Sequence, residues 1–105
     1  MIVTFEKEYL LELYVKGKAI DKKHRFQPDV VVKYVERIKT LQKAHRIEDL
    51  FTINSLNYEV LKGDKQGISS IRVNKQYCIE FEVKNSDVGP IVTICNILDL
   101  SNHYK

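Results

Sequence analysis

The sequence predicts an α+β domain in which two N-terminal helices pack on one face of a twisted, mainly antiparallel sheet. Three observations lead to this fold class. A short β-rich segment opens the chain, two segments with apolar residues at helical spacing follow, and four strand-like segments fill the second half. Because consecutive strands joined by short turns pair antiparallel, the predicted order is β-α-α-β-β-β-β.

Length and composition fit one ordinary globular domain over residues 1–105. Of these residues, 44% are hydrophobic and 30% are charged, which is typical of a soluble protein with a single core. No apolar run approaches the ~20 residues of a membrane span. The first residues lack the basic and apolar regions of a signal peptide. We therefore expect a cytoplasmic protein without membrane contact.

The charged residues and the cysteines exclude few classes of function. The net charge of +3 is modest, but basic residues concentrate between residues 16 and 25. This cluster is either a solvated loop or a surface for phosphates or an acidic partner. Cys78 and Cys95 fall in predicted strands without metal-ligand spacing, which indicates two reduced apolar thiols. We expect no metal and no other cofactor.

The first strand and the first helix are predicted from the first seventeen residues. Residues 1–5 alternate between apolar and polar and are rich in β-formers. Residues 6–16 carry large apolar and aromatic residues on one helical face. Gly17 is placed to end that helix, because glycine adopts the left-handed conformation that closes a helix.

The second helix is predicted to begin at Pro28 and Asp29, which both suit a first helical turn. The three valines at 30–32 favour a strand by propensity. The helical periodicity nevertheless continues for four turns, so a helix is predicted. The residues expected to pack on the sheet are Val31, Val35, Ile38 and Leu41.

The second half of the chain is predicted to form four strands, at residues 58–61, 67–73, 77–83 and 91–98. The middle two form a hairpin around residues 74–76. Apolar and polar residues alternate through this hairpin, so one face is buried and the other is free for chemistry or partners. The last segment is almost continuously apolar, which predicts a fully buried central strand.

Residues 61–81, which form the hairpin and its entry, read LKGDKQGISSIRVNKQYCIEF. This run resembles the HigB branch of the RelE/ParE superfamily of bacterial toxins. The matching residues are Leu61, Lys62, Gly63, Asp64, Gly67, Ser70, Ile71, Arg72, Val73, Asn74, Gln76, Tyr77, Ile79 and Phe81. The family's arginine after the aromatic residue is Cys78 here, which removes a positive charge near the free face of the hairpin.

The resemblance implies a RelE-like fold and a toxin of a type II toxin–antitoxin system. Relatives enter the ribosomal A site and cut the mRNA there. The implied partners are the ribosome, mRNA and a small helix-turn-helix antitoxin, and operator DNA is reached through the antitoxin complex. RNA can be cut without metal, since its 2′-hydroxyl attacks the adjacent phosphate. The site must align that attack, move two protons and stabilise negative charge.

The candidate catalytic residues are Arg72, Lys62 and His103. The guanidinium of Arg72 stays cationic and can hold two phosphate oxygens, which suits charge stabilisation. Histidine titrates near neutrality and suits acid–base catalysis. Relatives use histidine and tyrosine near the C-terminus in this way. The alternatives are a surface arginine, a solvated lysine and a terminal histidine without a role.

The candidate RNA-binding residues are Lys65, Lys75, Tyr77 and Tyr104. The lysines could bind phosphate, and Tyr77 could stack on a base as single-stranded RNA recognition often requires. The alternation of Tyr77 with Ile79 and Phe81 favours the core face instead.

Two other functions stay open. The ParE branch has the same fold but inhibits DNA gyrase without cutting RNA, and the basic residues at the hairpin favour the nuclease over it. Cys78 leaves a third interpretation, an attenuated chain that only binds its antitoxin.

Overall fold

The computed structural model describes residues 1–86, 89, 90 and 92–102. The strands and helices are β1 (Ile2–Phe5), α1 (Glu8–Lys16), α2 (Pro28–Lys43), β2 (Glu59–Val60), β3 (Ser69–Arg72), β4 (Tyr77–Asn85) and β5 (Thr93–Asn102). Short 3-10 turns lie in the connections, at Lys22–His24, Ile47–Leu50, Asn54–Leu56 and Gly63–Lys65. The predicted fold class and element order are confirmed.

The five strands form one mixed sheet in the order β1-β5-β4-β3-β2. The pairs from β2 to β5 are antiparallel, whereas β1 is parallel to β5. Ile2 lies opposite Ile94 and Phe5 lies opposite Ile97. The first strand of the chain therefore pairs with the last, and β5 lies between β1 and β4.

Local sequence explains where α1 ends and where α2 begins. Gly17 closes α1 with a φ of 75°, and its N–H donates to the carbonyl of Leu13. Pro28 stands at the first turn of α2, where a missing N–H costs no hydrogen bond. In the valine run, Val30 and Val31 are buried while Val32 is exposed. Helical periodicity therefore prevails over the strand propensity of valine.

The core lies between the helices and one face of the sheet. Helix α2 supplies Tyr34, Ile38 and Leu41 with no measurable exposure, and the Tyr34 hydroxyl donates to the Leu10 carbonyl across the helix pair. The buried cluster consists of Tyr9, Leu10, Leu13, Val30, Val31, Tyr34, Ile38, Leu41, Leu50, Leu56, Ile71, Val73, Ile79, Phe81, Cys95, Ile97 and Leu100.

The prediction of a fully buried last strand is wrong. Although β5 is an interior strand, only Cys95, Ile97 and Leu100 of its residues are buried, because the helices cover one face of the sheet only. Several element boundaries also differ from the prediction, most of them by one or two residues. Strand β5 continues to Asn102, and α1 begins two residues late because the Glu6 N–H still bonds the Ile97 carbonyl of β5 at 2.8 Å.

Within the described ranges, no helix has the length and hydropathy needed to cross a membrane.

Candidate active site

The face of the sheet away from the helices carries a row of polar residues across four strands. Glu59 of β2 lies opposite Ser70 of β3. Ser70 in turn lies opposite Glu80 of β4, which lies opposite Asp99 of β5. These side chains share one face because residues directly opposite each other on paired strands point to the same side of the sheet. This row brings three carboxylates to one side of the sheet.

A second row on the same face contains Arg72. The pairing of β3 with β4 places Arg72 directly opposite Cys78, which lies opposite Ser101 of β5. The flanking residues Ile71 and Val73 are both buried in the core, so Arg72 must point the other way. Alternation in the hairpin predicts one buried and one free face, and Arg72 lies on the face away from the core.

Arg72 is partly exposed, and its Nε atom is buried without a hydrogen-bond partner among the described residues. No described carboxylate forms an ion pair with it. Its own carbonyl accepts a hydrogen bond from Arg37 Nε of α2 at 3.0 Å, which ties the end of β3 to the helix layer. The protein thus holds the backbone of Arg72 but does not neutralise its side chain.

Arg72 lines an open cavity of about 390 Å³ together with Asn57, Tyr58, Glu59 and Ser70. Tyr58 is fixed there because its hydroxyl shares a 2.8 Å hydrogen bond with Ser69 Oγ. Sequence reasoning missed Asn57, Tyr58 and Glu59. No local signal identifies them, since only the pairing of β2 with β3 brings them beside Arg72.

The two lysines at the hairpin entry have different surroundings. Lys62 is exposed just before the turn at Gly63–Lys65. Lys65 Nζ binds Glu80 Oε2 at 2.9 Å, and this hydrogen bond raises the pKa of Lys65 above its usual value. Glu80 is only 7% exposed. Lys65 therefore neutralises a buried carboxylate, whereas Lys62 forms no ion pair with a described carboxylate.

Cys78 occupies the place beside Arg72 on the open face but is almost fully covered, with 3% exposure. Burial raises the pKa of its thiol, and a hydrogen bond with Ser70 opposes that change. Burial likewise raises the pKa of Cys95 to about 11. Both cysteines are free thiols, and neither carries charge near neutral pH.

The remaining predicted RNA contacts lie apart from Arg72. Lys75 is exposed in the turn between β3 and β4. Tyr77 packs against the core on the helix side, with its ring edge-to-face on Phe26 at a centroid distance of 5.4 Å. His103 and Tyr104 lie outside the described residues.

The helix layer reaches the far end of the acidic row through Tyr9. The Tyr9 hydroxyl donates to Asp99 Oδ1 at 2.5 Å, and burial followed by this hydrogen bond raises the pKa of Tyr9. The ring of His24 stacks on Tyr9 at 3.7 Å between centroids. Asp99 is thus held in place four positions before His103. Among the described residues, no three His, Cys, Asp or Glu side chains are grouped to hold a metal ion.

Comparisons with known proteins agree with the hairpin resemblance. A family model described as the RelE-like toxin of the type II toxin–antitoxin system HigB matches residues 3–93. An uncharacterized protein of Haemophilus influenzae is 31% identical over 86 residues, which cover 81% of each chain.

The structure of a YoeB/ParE toxin from Agrobacterium tumefaciens superposes with a TM-score of 0.60 at 15% identity. The match covers 99% of this chain and all of that one, so the two share a fold. The family match over most of the chain shows that the protein belongs to the HigB-like toxins of the RelE family, whose type II systems pair each toxin with a cognate antitoxin.

Proposed function

We propose that the chain is a metal-independent endoribonuclease that cuts mRNA on the translating ribosome and so inhibits translation in the cytoplasm. The observation that carries the proposal is the environment of the Arg72 guanidinium. Its guanidinium lines an open cavity, has no carboxylate partner among the described residues, and keeps a buried Nε donor unsatisfied. An exposed part of a cationic guanidinium beside an open cavity, without a carboxylate partner, is suited to hold a phosphate oxygen.

Arg72 is the charge-stabilising residue of this proposal. When the 2′-hydroxyl attacks, the phosphate gains negative charge, and a preorganised guanidinium stabilises that charge more than it stabilises the ground state. The Arg37 hydrogen bond to the Arg72 carbonyl supports this role, because it fixes the strand end that carries the guanidinium. Lys62, exposed at the edge of the hairpin, holds a neighbouring phosphate.

Two groups are candidates for taking the proton from the 2′-hydroxyl. Glu59 lines the same cavity as Arg72 and is exposed, so its carboxylate is a candidate general base. His103 remains the candidate from the family pattern, with Tyr104 beside it. The other proposed RNA contacts are Lys65, Lys75 and Tyr77. Lys65 would then bind RNA while it also pairs with Glu80.

The proposed partners follow from the same family assignment. We propose that the cognate antitoxin is a small helix-turn-helix protein and that operator DNA is reached only through the toxin–antitoxin complex. The ribosome supplies part of the positioning in this proposal, since the cavity at Arg72 is open and does not enclose the mRNA by itself.

The test is brief induced expression in a bacterial host, followed by mapping of mRNA 5′ ends. The natural chain should produce cuts inside translated codons, and Arg72→Ala should reduce them roughly 100-fold, because a lost charge stabiliser costs that much. Arg72→Lys should recover only part, since lysine lacks the fork of donors. Arg46→Ala is the matched control, because Arg46 is exposed and forms only long surface ion pairs.

Glu59→Gln in the same experiment separates the two proton acceptors. Loss of cuts with Glu59→Gln and not with His103→Ala assigns the base to Glu59, and the reverse assigns it to His103. Growth arrest with intact mRNA in every variant would overturn the nuclease proposal and favour gyrase inhibition.

Cys78 supports a second candidate, an attenuated toxin that mainly binds its antitoxin. The specific observation is that a neutral, 3% exposed thiol stands directly opposite Arg72, where relatives place an arginine. Cys78→Arg would restore that charge. Cuts that appear only with Cys78→Arg would establish attenuation, whereas equal cutting by both chains would exclude it.

A further inference from the structure

The helix layer carries an apolar groove that the proposed catalytic role does not use. Two adjoining cavities of about 600 and 500 Å³ meet where Phe26 and Val31 line both. Val32 and Val35 of α2 extend the groove on one side, and Ile20 extends it on the other. The connector between α1 and α2 thus folds over α2 without filling the space beside it.

The exposure of these side chains indicates that the groove is a binding surface. Val32 is 59% exposed and Ile20 is 75% exposed, next to Phe26 and Val35, which are only partly buried. Single exposed aliphatic residues are common, but a contiguous apolar surface rimmed by polar residues marks an interaction site. An apolar floor gains nothing from a phosphate backbone, so the surface favours a protein segment over RNA.

The charge around the groove specifies the partner further. Lys18 and Lys39 line one cavity and Arg25 lines the other, all three exposed. Glu36 is the acidic side chain among the lining residues, and Lys33 pairs with it at 3.7 Å. The rim is therefore positive around an apolar floor. Its complement is an amphipathic segment with one apolar stripe and acidic residues along its sides.

We propose that this groove is where the cognate antitoxin docks, through an acidic amphipathic segment whose apolar side chains contact Phe26, Val32 and Val35. The proposal rests on the toxin–antitoxin family assignment and does not depend on the nuclease activity. The groove belongs to the helix layer, whereas Arg72 points from the opposite face of the sheet. Antitoxin binding and mRNA cleavage can therefore be measured and disrupted separately.

The test compares two valines of similar exposure in the complex obtained by co-expressing this chain with the antitoxin of its own operon. Val32→Glu places a charge in the groove. Val60→Glu is the matched control, since Val60 is 53% exposed on the edge strand β2 beside the Arg72 cavity. Calorimetry should show the antitoxin dissociation constant rising roughly tenfold or more for Val32→Glu and staying within about twofold for Val60→Glu.

A charge reversal tests the rim. The double variant Lys18→Glu with Lys39→Glu should weaken antitoxin binding and remove most of its salt dependence, because opposite charges attract less as salt is added. Unchanged binding in both groove variants would overturn the proposal. A loss confined to Val60→Glu would move the antitoxin to the sheet face, and weakened ribosome or RNA binding with normal antitoxin binding would make the basic rim a nucleic-acid surface.

A measurement on the natural chain removes any dependence on folding of the variants. Acetylation of lysines by a water-soluble reagent should slow at Lys18 and Lys39 when the antitoxin is bound, and should not change at Lys62. Equal labelling of Lys18 and Lys39 in free and bound toxin would contradict the proposal. This measurement needs no mRNA. It therefore distinguishes failure of the nuclease proposal from failure of the proposed antitoxin site.

Discussion

Lys65 shows how one neighbour changes what a charged side chain does. Both Lys62 and Lys65 are exposed lysines at the hairpin entry, yet only Lys65 reaches the carboxylate of Glu80, at 2.9 Å. Glu80 is nearly buried on the open face. A buried carboxylate needs a cation or hydrogen-bond donors, so Lys65 contributes to stability in a way that Lys62 does not.

Lys65→Ala should lower the free energy of unfolding by about 1 kcal/mol, a value reduced by the solvent around the exposed lysine. Lys62→Ala should leave it unchanged within measurement error. Urea unfolding followed by circular dichroism measures both. Equal effects would mean that Glu80 draws its stability from other groups.

At the residue scale, the sequence predicts which face of a strand is buried, because alternation is a local pattern. It does not predict which residues become neighbours through strand pairing. Alternation in the hairpin predicted one buried and one free face, and alternation with Ile79 favoured the core side for Tyr77. The cavity partners of Arg72 could not be predicted, since Glu59 comes from a distant strand through long-range pairing.

The β3–β4 hairpin is the element that sets the geometry of the candidate site. Asn74 Oδ1 accepts hydrogen bonds from the backbone N–H groups of Gln76 at 2.8 Å and Tyr77 at 2.7 Å. This Asx-type turn closes the hairpin. One position outside it, Arg72 pairs with Cys78. The turn therefore fixes the register that presents Arg72.

Asn74→Ala should lower the free energy of unfolding by about 1 to 2 kcal/mol, because two backbone donors lose their acceptor. Asn74→Asp keeps the acceptor oxygen and should stay close to the natural chain. Thermal unfolding midpoints measure the difference. Equal losses in the two variants would show that the side-chain acceptor does not hold the turn.

Element types were predictable because the helical and strand periods are strong in this sequence, whereas pairing partners were not. The valine run of α2 was correctly predicted as helix from its period. The parallel pairing of β1 with β5 has no local signal, and the partial exposure of β5 follows from having helices on one side only. Apolar composition alone therefore overstated the burial of β5.

For the whole molecule, burial of weak acids sets the response to alkaline pH. Burial raises the pKa of Tyr9, Tyr34 and Cys78, and raises that of Cys95 from 9.0 to about 11. Each of these groups is neutral when protonated, and the folded state binds the proton more tightly than the unfolded state. Their contribution is complete below the unfolded pKa values and is lost as pH rises through the folded ones.

We expect the free energy of unfolding to fall as pH rises from 8 to 11, with Cys95 contributing about 2 kcal/mol to that fall. Urea unfolding at several pH values measures the slope. Cys95→Ala should start less stable because of its cavity, but should show a shallower decline with pH. A parallel decline in both chains would assign the alkaline sensitivity to Cys78 and the two tyrosines.

The parallel pairing of β1 with β5 has a consequence for folding during synthesis. The N-terminus of a nascent chain leaves the ribosome first, so β1 emerges long before β5, the strand with which it pairs, has been synthesised. Because β5 also pairs with β4 along its length, the sheet cannot close until the residues of β5 have been synthesised. Such non-local closure is slow. All five strands must therefore have been translated before the assembled sheet exists.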